Sequence, residues 1–350
     1  MIVVIPTNRS VSFEYLKPLI DSGARFIVVD DSDGSVSVNH PQFQVYNWKD
    51  QDRMLGANKI AIPRRNGACR DFGFYLAWKN SDPGEIIVAL DDDEIVEEGF
   101  VREMQAALGD GPKRIARGDG TQFNILDCYR NIEPNLFPRG FPYSRRVDYR
   151  PWVFESEQKG DVMFNLGLWR GVFDVNAIDK LQGLRYNYPD AELHHPSVVV
   201  PNGALISVCA GNMHFRRELI PAVYQFVMHV EVLPGWVIDR YGDIWGGFIL
   251  KTLMDLKGDR MSVGAPMILH KKEGKHERNI WQEHLAHLVN DEFIALLAAA
   301  KEDVTPSSYL SMVEQLTESI ERGSANQSAL LGCYLRSQIP ALMAWTKILT

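Results

Sequence analysis

Short apolar runs, each stopped by a polar or acidic turn, set the rhythm of the N-terminal part of the chain. Ile2–Pro6 runs into Thr7-Asn8-Arg9, Arg25–Val29 into Asp30-Asp31-Ser32-Asp33-Gly34, and Glu85–Leu90 into Asp91-Asp92-Asp93-Glu94. Runs of this kind, rich in Val and Ile and bounded by turn formers, read as buried strands. Phe43–Tyr46 is a further one. The segments between them, Phe13–Ser22 and Gly67–Lys79, read as helices, and the second carries Phe72, Tyr75, Leu76 and Trp78 at helical spacing. Alternation of strand and helix predicts an α/β domain with a mostly parallel sheet flanked by helices. In open sheets of this class ligands sit outside the carboxyl ends of the strands. Pro6–Arg9, Asp30–Asp33 and Asp91–Asp93 are therefore expected around one pocket on one edge of the sheet.

Further along, the pattern loosens. Residues 117–165 are rich in Arg, Asn, Pro, Gly and aromatic residues and have no clean period. Val198–Val200 and Leu205–Val208 read as strands, and residues 217–256 as largely helical. From about residue 281 to 350 the pattern is helical, as at Phe293–Lys301 and Ser308–Glu321, with a loop at Gly323–Gln327. There is no internal repeat and no low-complexity tract. A chain of 350 residues makes about two domain-sized units, or one large α/β domain with an appendage. The expected division is a catalytic domain over 1–285 and a C-terminal helical extension over 286–350, packed on it.

Composition narrows the function classes. With 45% hydrophobic and 23% charged residues the chain can bury a sizeable core and is not a disordered or collagen-like sequence. Lys and Arg number 37 against 45 Asp and Glu, a net charge of −8. An acidic chain has no global attraction for nucleic acid or an anionic membrane. A phosphorylated ligand would need a local basic pocket or a metal. Cys69, Cys128, Cys209 and Cys333 lack zinc spacing and read as buried reduced thiols. The longest uncharged stretch, Pro196–Phe215, is broken by Pro201, Asn202, Gly203, Gly211 and Asn212, so no membrane insertion is expected. MIVVIPTNR has no basic leader region and reads as a first strand, so a cytoplasmic protein is expected.

The segment IIVALDDDEIV carries the strongest chemical signal. Adjacent carboxylates repel one another, and a cluster of them at a strand end suggests a hard divalent cation. A solvated turn is the plain alternative. If the alternation of the strand continues, Asp91 and Asp93 point the same way. Two arginine clusters follow: Arg53, Arg64, Arg65 and Arg70, then Arg139, Arg145, Arg146 and Arg150. Arginine suits bidentate recognition of phosphate, and it equally suits salt-bridged surface. Asp243 stands at an expected helix start and reads either as a capping carboxylate or as one facing a sugar. His270 follows the apolar run Pro266–Leu269 and is either a structural residue or a third metal ligand. His194-His195 receives no role. No G-x-G-x-x-G, P-loop, G-x-S-x-G or H-E-x-x-H occurs, against a dinucleotide oxidoreductase, a P-loop kinase and a serine hydrolase.

Taken together, these pieces resemble the reversibly glycosylated polypeptide family, the plant-type UDP-arabinopyranose mutases of glycosyltransferase family 75. The resemblance runs in order through VIPTNR, YNWKDQDRMLG at 46–56, GACRDFGF at 67–74, ALDDDEIV at 89–96 and RGFPYSRR at 139–146. It continues through GLW at 167–169, CAGNMHFRRELI at 209–220, RYGDIWGG at 240–247, ILH at 268–270 and IWQE at 280–283. The family's paired aspartates before the tryptophan are Gly242-Asp243 here, and the dipeptide after its modified arginine is Val147-Asp148.

The resemblance implies a GT-A nucleotide-sugar fold and a UDP-sugar ligand bound with Mn²⁺ or Mg²⁺. The aspartate triplet of the family falls on Asp91, Asp92 and Asp93. The ion is expected on Asp91 and Asp93, with His270. The nucleotide sugar is expected against Pro6, Thr7, Arg9, Asp31, Asp33, Arg53, Arg70, Asp91, Asp92, Asn212 and Trp245. The arginine that becomes glycosylated in the family falls on Arg146, directly after Arg145. Arg146, Asp243 and Asp93 are the expected catalytic residues. The family also self-associates, which implies a homo-oligomer. The implied reaction is metal-assisted cleavage of the anomeric bond and recapture of the sugar through a different ring oxygen, converting pyranose to furanose. Two alternatives stand beside it: a GT-A glycosyltransferase with an external acceptor and Asp243 as base, and a non-catalytic protein that binds nucleotide sugars.

Overall fold

A computed structural model describes every residue except 11, 33, 119 and 272–274, together with all side chains of those described but 156–158. Ile2–Thr7, Arg25–Asp30 and Phe43–Tyr46 pair in parallel, with Ile2 opposite Arg25 and Phe26 opposite Phe43. Ile86–Ala89 joins the other side of Ile2–Thr7, also in parallel. The chain thus lays its second and third strands to one side of the first and its fourth to the other. This reversal opens a crevice above the ends of Ile2–Thr7 and Ile86–Ala89, the switch point of a doubly wound sheet. The central strands are apolar on both faces because helices cover both. Helix Arg70–Asn80 lies so close on the sheet that a Cβ at Gly73 would stand 2.3 Å from Cγ1 of Val4.

Beyond Ile86–Ala89 the sheet is mixed. Met213–Arg216 runs antiparallel to it and to Phe164–Val172, which in turn pairs in parallel with Met261–His270. Ser197–Val199, Lys113–Arg117 and Val153–Gln158 complete the far edge. Glu94–Val96 pairs with the end of Met261–His270, so the acidic turn at 91–93 is fixed on both sides. The expected α/β sheet flanked by helices is what the chain builds, followed by the C-terminal helices His276–Ala300, Tyr309–Ser324 and Ala329–Leu349. Helix His276–Ala300 passes through residue 285 without a break.

Three local expectations change. Residues 217–256 are not largely helical: Val230–Leu233 and Trp236–Ile238 form a hairpin around Pro234-Gly235, with Gly235 at φ 78°, before helix Gly242–Lys257. Phe13–Ser22 holds only a 3₁₀ turn, Glu14–Leu16, and a five-residue helix, Lys17–Asp21. The loose stretch 117–165 contains the edge strand Val153–Gln158. Among the described residues, no helix is long and apolar enough to cross a membrane.

Candidate functional site

The crevice at the switch point is a cleft of about 790 Å³, lined by Pro6, Thr7, Asp31 and Asp91–Asp93 from the strand ends. The strand stops at Ala89, so Asp91–Asp93 lie in a turn and the alternation that would align Asp91 with Asp93 does not continue. Each carboxylate nevertheless faces the cleft. Asp92 accepts from Thr7 Oγ1 at 2.7 Å and from Arg9 Nε and Nη2 at 3.0 and 2.6 Å. Asp91 pairs with Arg70, whose Nη1 also donates to Leu90 O at 3.0 Å. Glu94 turns inward and accepts from the Asp91 N–H at 2.7 Å. Burial, then the negative charge of Asp91, pushes the Glu94 carboxyl well above the usual carboxylate range.

A second wall comes from the approach to helix Arg70–Asn80. Asp31 accepts from Trp48 Nε1 at 2.8 Å and from the Asn66 N–H at 3.2 Å. Asn66 caps the 3₁₀ turn Gly67–Cys69 and reaches across to Met228 O with its Nδ2, at 2.6 Å. The guanidinium groups of Arg64 and Arg65 lie over the Trp48 ring at 5.3 and 5.2 Å.

Helix Gly242–Lys257 supplies Asp243 to the cleft. A Cβ at Gly242 would stand 2.4 Å from Phe226 O, so the helix can approach this segment only without a side chain there. Behind Asp243 lies Arg139, 6% exposed. Its Nε and Nη2 donate to Asp174 at 3.1 and 2.8 Å, its Nη1 and Nη2 to Asp243 at 3.1 and 2.9 Å, and its Nη1 also to Arg240 O. All five guanidinium donors are thereby used, with both carboxylates held bidentately. Burial opposes charge on Asp174, but Arg139 outweighs it and holds that carboxyl well below the usual range. Asp174, Cys209 and Asp243 are the one group of metal-type side chains among the described residues whose ligand atoms lie within 4.8 Å of one another. The guanidinium of Arg139 already stands as the cation against both of these carboxylates.

Of the residues singled out from sequence, Pro6, Thr7, Asp31, Arg70, Asp91, Asp92, Asp93 and Asp243 line this cleft, and Arg9 joins it through Asp92. Arg65 and Arg139, named in the two arginine clusters, line it as well, and the other assigned residues stand elsewhere. Asn212 is fully buried and ties Leu168 O to Pro266 O through its Nδ2. Trp245 is a core side chain that donates to Asn290 and stacks on Phe293. Arg53 is an exposed partner of Asp50. His270 bonds Val172 O through Nδ1 at 2.7 Å and does not line the cleft. Arg146 lies between the Tyr143 and Phe137 rings, at 4.0 and 4.8 Å, with Nη1 on Asp179. Asp33 lies outside the described residues. For a divalent ion the cleft offers hard carboxylate oxygens, and the side chain of Asp91 is 45% accessible despite its arginine. Sequence reasoning noted Arg139 only as part of a cluster and missed Asp174, whose pairing depends on a contact 35 residues apart. Asn66, Gln225 and Arg240 also line the cleft without having been assigned.

Residues 1–348 match the family described as reversibly glycosylated polypeptide. A probable UDP-arabinopyranose mutase 2 of Solanum tuberosum is 30% identical over 332 residues, 91% of this chain and 83% of its own. UDP-arabinopyranose mutase 1 of Oryza sativa is 29% identical, covering 91% of this chain and 84% of its own. UDP-arabinopyranose mutase 1 of Arabidopsis thaliana is 29% identical over 85% of this chain and 79% of its own.

Proposed function

The chain belongs to the reversibly glycosylated polypeptide family, and from that membership we propose that it is a nucleotide-sugar mutase interconverting the pyranose and furanose forms of a UDP-linked, arabinose-type sugar. The observation that carries this reading is the meeting of Asp91–Asp93, Arg70 and Asp243 in one cleft at the sheet's switch point, in a chain matched to mutases along most of its length.

In this scheme the diphosphate lies over the Asp91–Asp93 turn. Asp91 and Asp93 would hold Mn²⁺ or Mg²⁺, a hard ion suited to carboxylate oxygens, which supplies Lewis-acid stabilisation of the departing diphosphate. Arg70, fixed beside Asp91, adds a preorganised positive charge at the same place. The bond from the anomeric carbon to the diphosphate oxygen breaks and leaves UDP and an oxocarbenium-like sugar. The ring reorganises, and the diphosphate oxygen returns to the anomeric carbon of the other ring form, so no cofactor is consumed. Asp243, held by Arg139, orients the sugar hydroxyls and carries the proton that moves when the ring opens and recloses. A covalent role for Arg146 requires its guanidinium to leave Asp179 and both rings. Its signature is an added sugar mass that Arg146→Ala abolishes. The four free cysteines suit a cytoplasmic setting. Incubation of the protein with UDP-arabinopyranose and Mn²⁺ tests the reading: a product of unchanged mass, reached from either isomer, supports it. Release of UDP only when an acceptor is added identifies a transferase instead.

A further inference from the structure

Arginines 65, 70, 139 and 240 line the cleft. Three are committed: Arg70 to Asp91, Arg139 to Asp174 and Asp243, and Arg240 to Glu283 at 2.8 Å. Arg65 differs. Among the described residues it makes no ion pair, and its guanidinium meets only the face of Trp48, 5.2 Å away. That ring is itself fixed by its bond to Asp31. Arg65 has φ 52°, an uncommon backbone conformation for a residue with a side chain. In the same cleft Gln225 is 6% exposed, and its buried Nε2 has no acceptor. Among the described residues, Arg65 is thus the cleft-lining arginine whose charge is not already offset by a carboxylate.

We propose that Arg65 is the anion-selecting residue of the cleft: its guanidinium, presented by Trp48, takes the diphosphate of a nucleoside diphosphate, with Gln225 Nε2 as a second donor. This rests on the nucleotide-sugar reading above. A bidentate, charge-assisted contact to phosphate has Arg as its best donor, and Lys replaces it only in part.

Titration calorimetry with UDP and Mg²⁺, at low and high ionic strength, tests the assignment on the wild type, Arg65→Ala, Arg65→Lys and Arg322→Ala. Arg322 is exposed and paired with Asp303 in the C-terminal helical region, so its variant removes the same charge elsewhere. At low salt Arg65→Ala is expected to bind UDP ~10- to 100-fold more weakly, Arg65→Lys to fall between, and Arg322→Ala to match the wild type. The gap should narrow as salt rises, because screening removes the contribution of Arg65 from the wild type. Arg65→Ala binding within twofold of the wild type, or a loss independent of salt, overturns the assignment. A wild type that binds no UDP overturns the nucleotide-sugar reading itself.

Discussion

At the level of single residues, Arg139 is the keystone of the cleft. It holds two carboxylates that would otherwise face each other half-buried. Arg139→Ala is expected to destabilise the fold by about 3–5 kcal/mol, read from the urea midpoint, because it leaves like charges unpaired. Arg139→Lys should recover little, since an ammonium cannot grip two carboxylates bidentately. The acidic turn was legible in the sequence because consecutive carboxylates after an apolar run have few structural uses. The places of Asn212 and Trp245 were not. Both sit inside recognisable motifs, and whether a polar or aromatic side chain faces a cleft or the core is decided by strands and helices that pack from far along the chain.

At the level of elements, the close approach of helix Gly242–Lys257 to residues 224–226 shapes one wall. Gly246 repeats the constraint of Gly242, with a Cβ position 2.2 Å from Tyr224 O. Gly242→Asp is expected to cost about 1–3 kcal/mol in unfolding free energy through overpacking, and to strain the Phe226 N–H to Gly242 O bond. Strand Met213–Arg216 makes a pH prediction. His214 is fully buried against Phe100 and bonded to Asn165, and burial pushes its pKa down to about 3. The unfolded chain takes up that proton near pH 6.5, while the folded one does not until near 3. The contribution of His214 is therefore fully present above about pH 6.5 and lost as pH falls, by up to ~1.4 kcal/mol per unit. The difference in unfolding free energy between the wild type and His214→Leu should carry this slope between about pH 6 and 4. A difference that stays flat with pH contradicts it. The strands of the N-terminal part and helix Arg70–Asn80 were readable because period and turn chemistry agree there; helices Trp48–Leu55 and Phe100–Leu108 were not read. The hairpin at 230–238 was not, because its strands are only three and four residues long.

At the level of the whole molecule, the C-terminal helices hold the cleft from behind. Gln338 in the last helix accepts from the Val227 N–H and donates to Val227 O, both at 2.9 Å, and Trp345 Nε1 donates to Pro221 O at 3.0 Å. The segment they grip carries Gln225, Phe226 and Met228 of the cleft lining. Gln338→Leu leaves the Val227 N–H unpaired, while Tyr334 Oη still donates to Val227 O at 3.1 Å, and is expected to cost about 1–3 kcal/mol. It should also weaken UDP binding, measured by calorimetry, although Gln338 does not line the cleft. The helical pattern of this region was plain in the sequence. Its service to the cleft was not, since it depends on contacts spanning over a hundred residues.

The most direct measurement follows both isomers of UDP-arabinose, starting from each in turn with Mn²⁺, for the wild type and for Asp93→Asn. The wild type should reach one pyranose-to-furanose ratio from either side, and Asp93→Asn, with an unchanged thermal midpoint, should convert neither. Conversion by Asp93→Asn at the wild-type rate, or none by the wild type from either isomer, would contradict the assignment of this cleft as the site of a mutase.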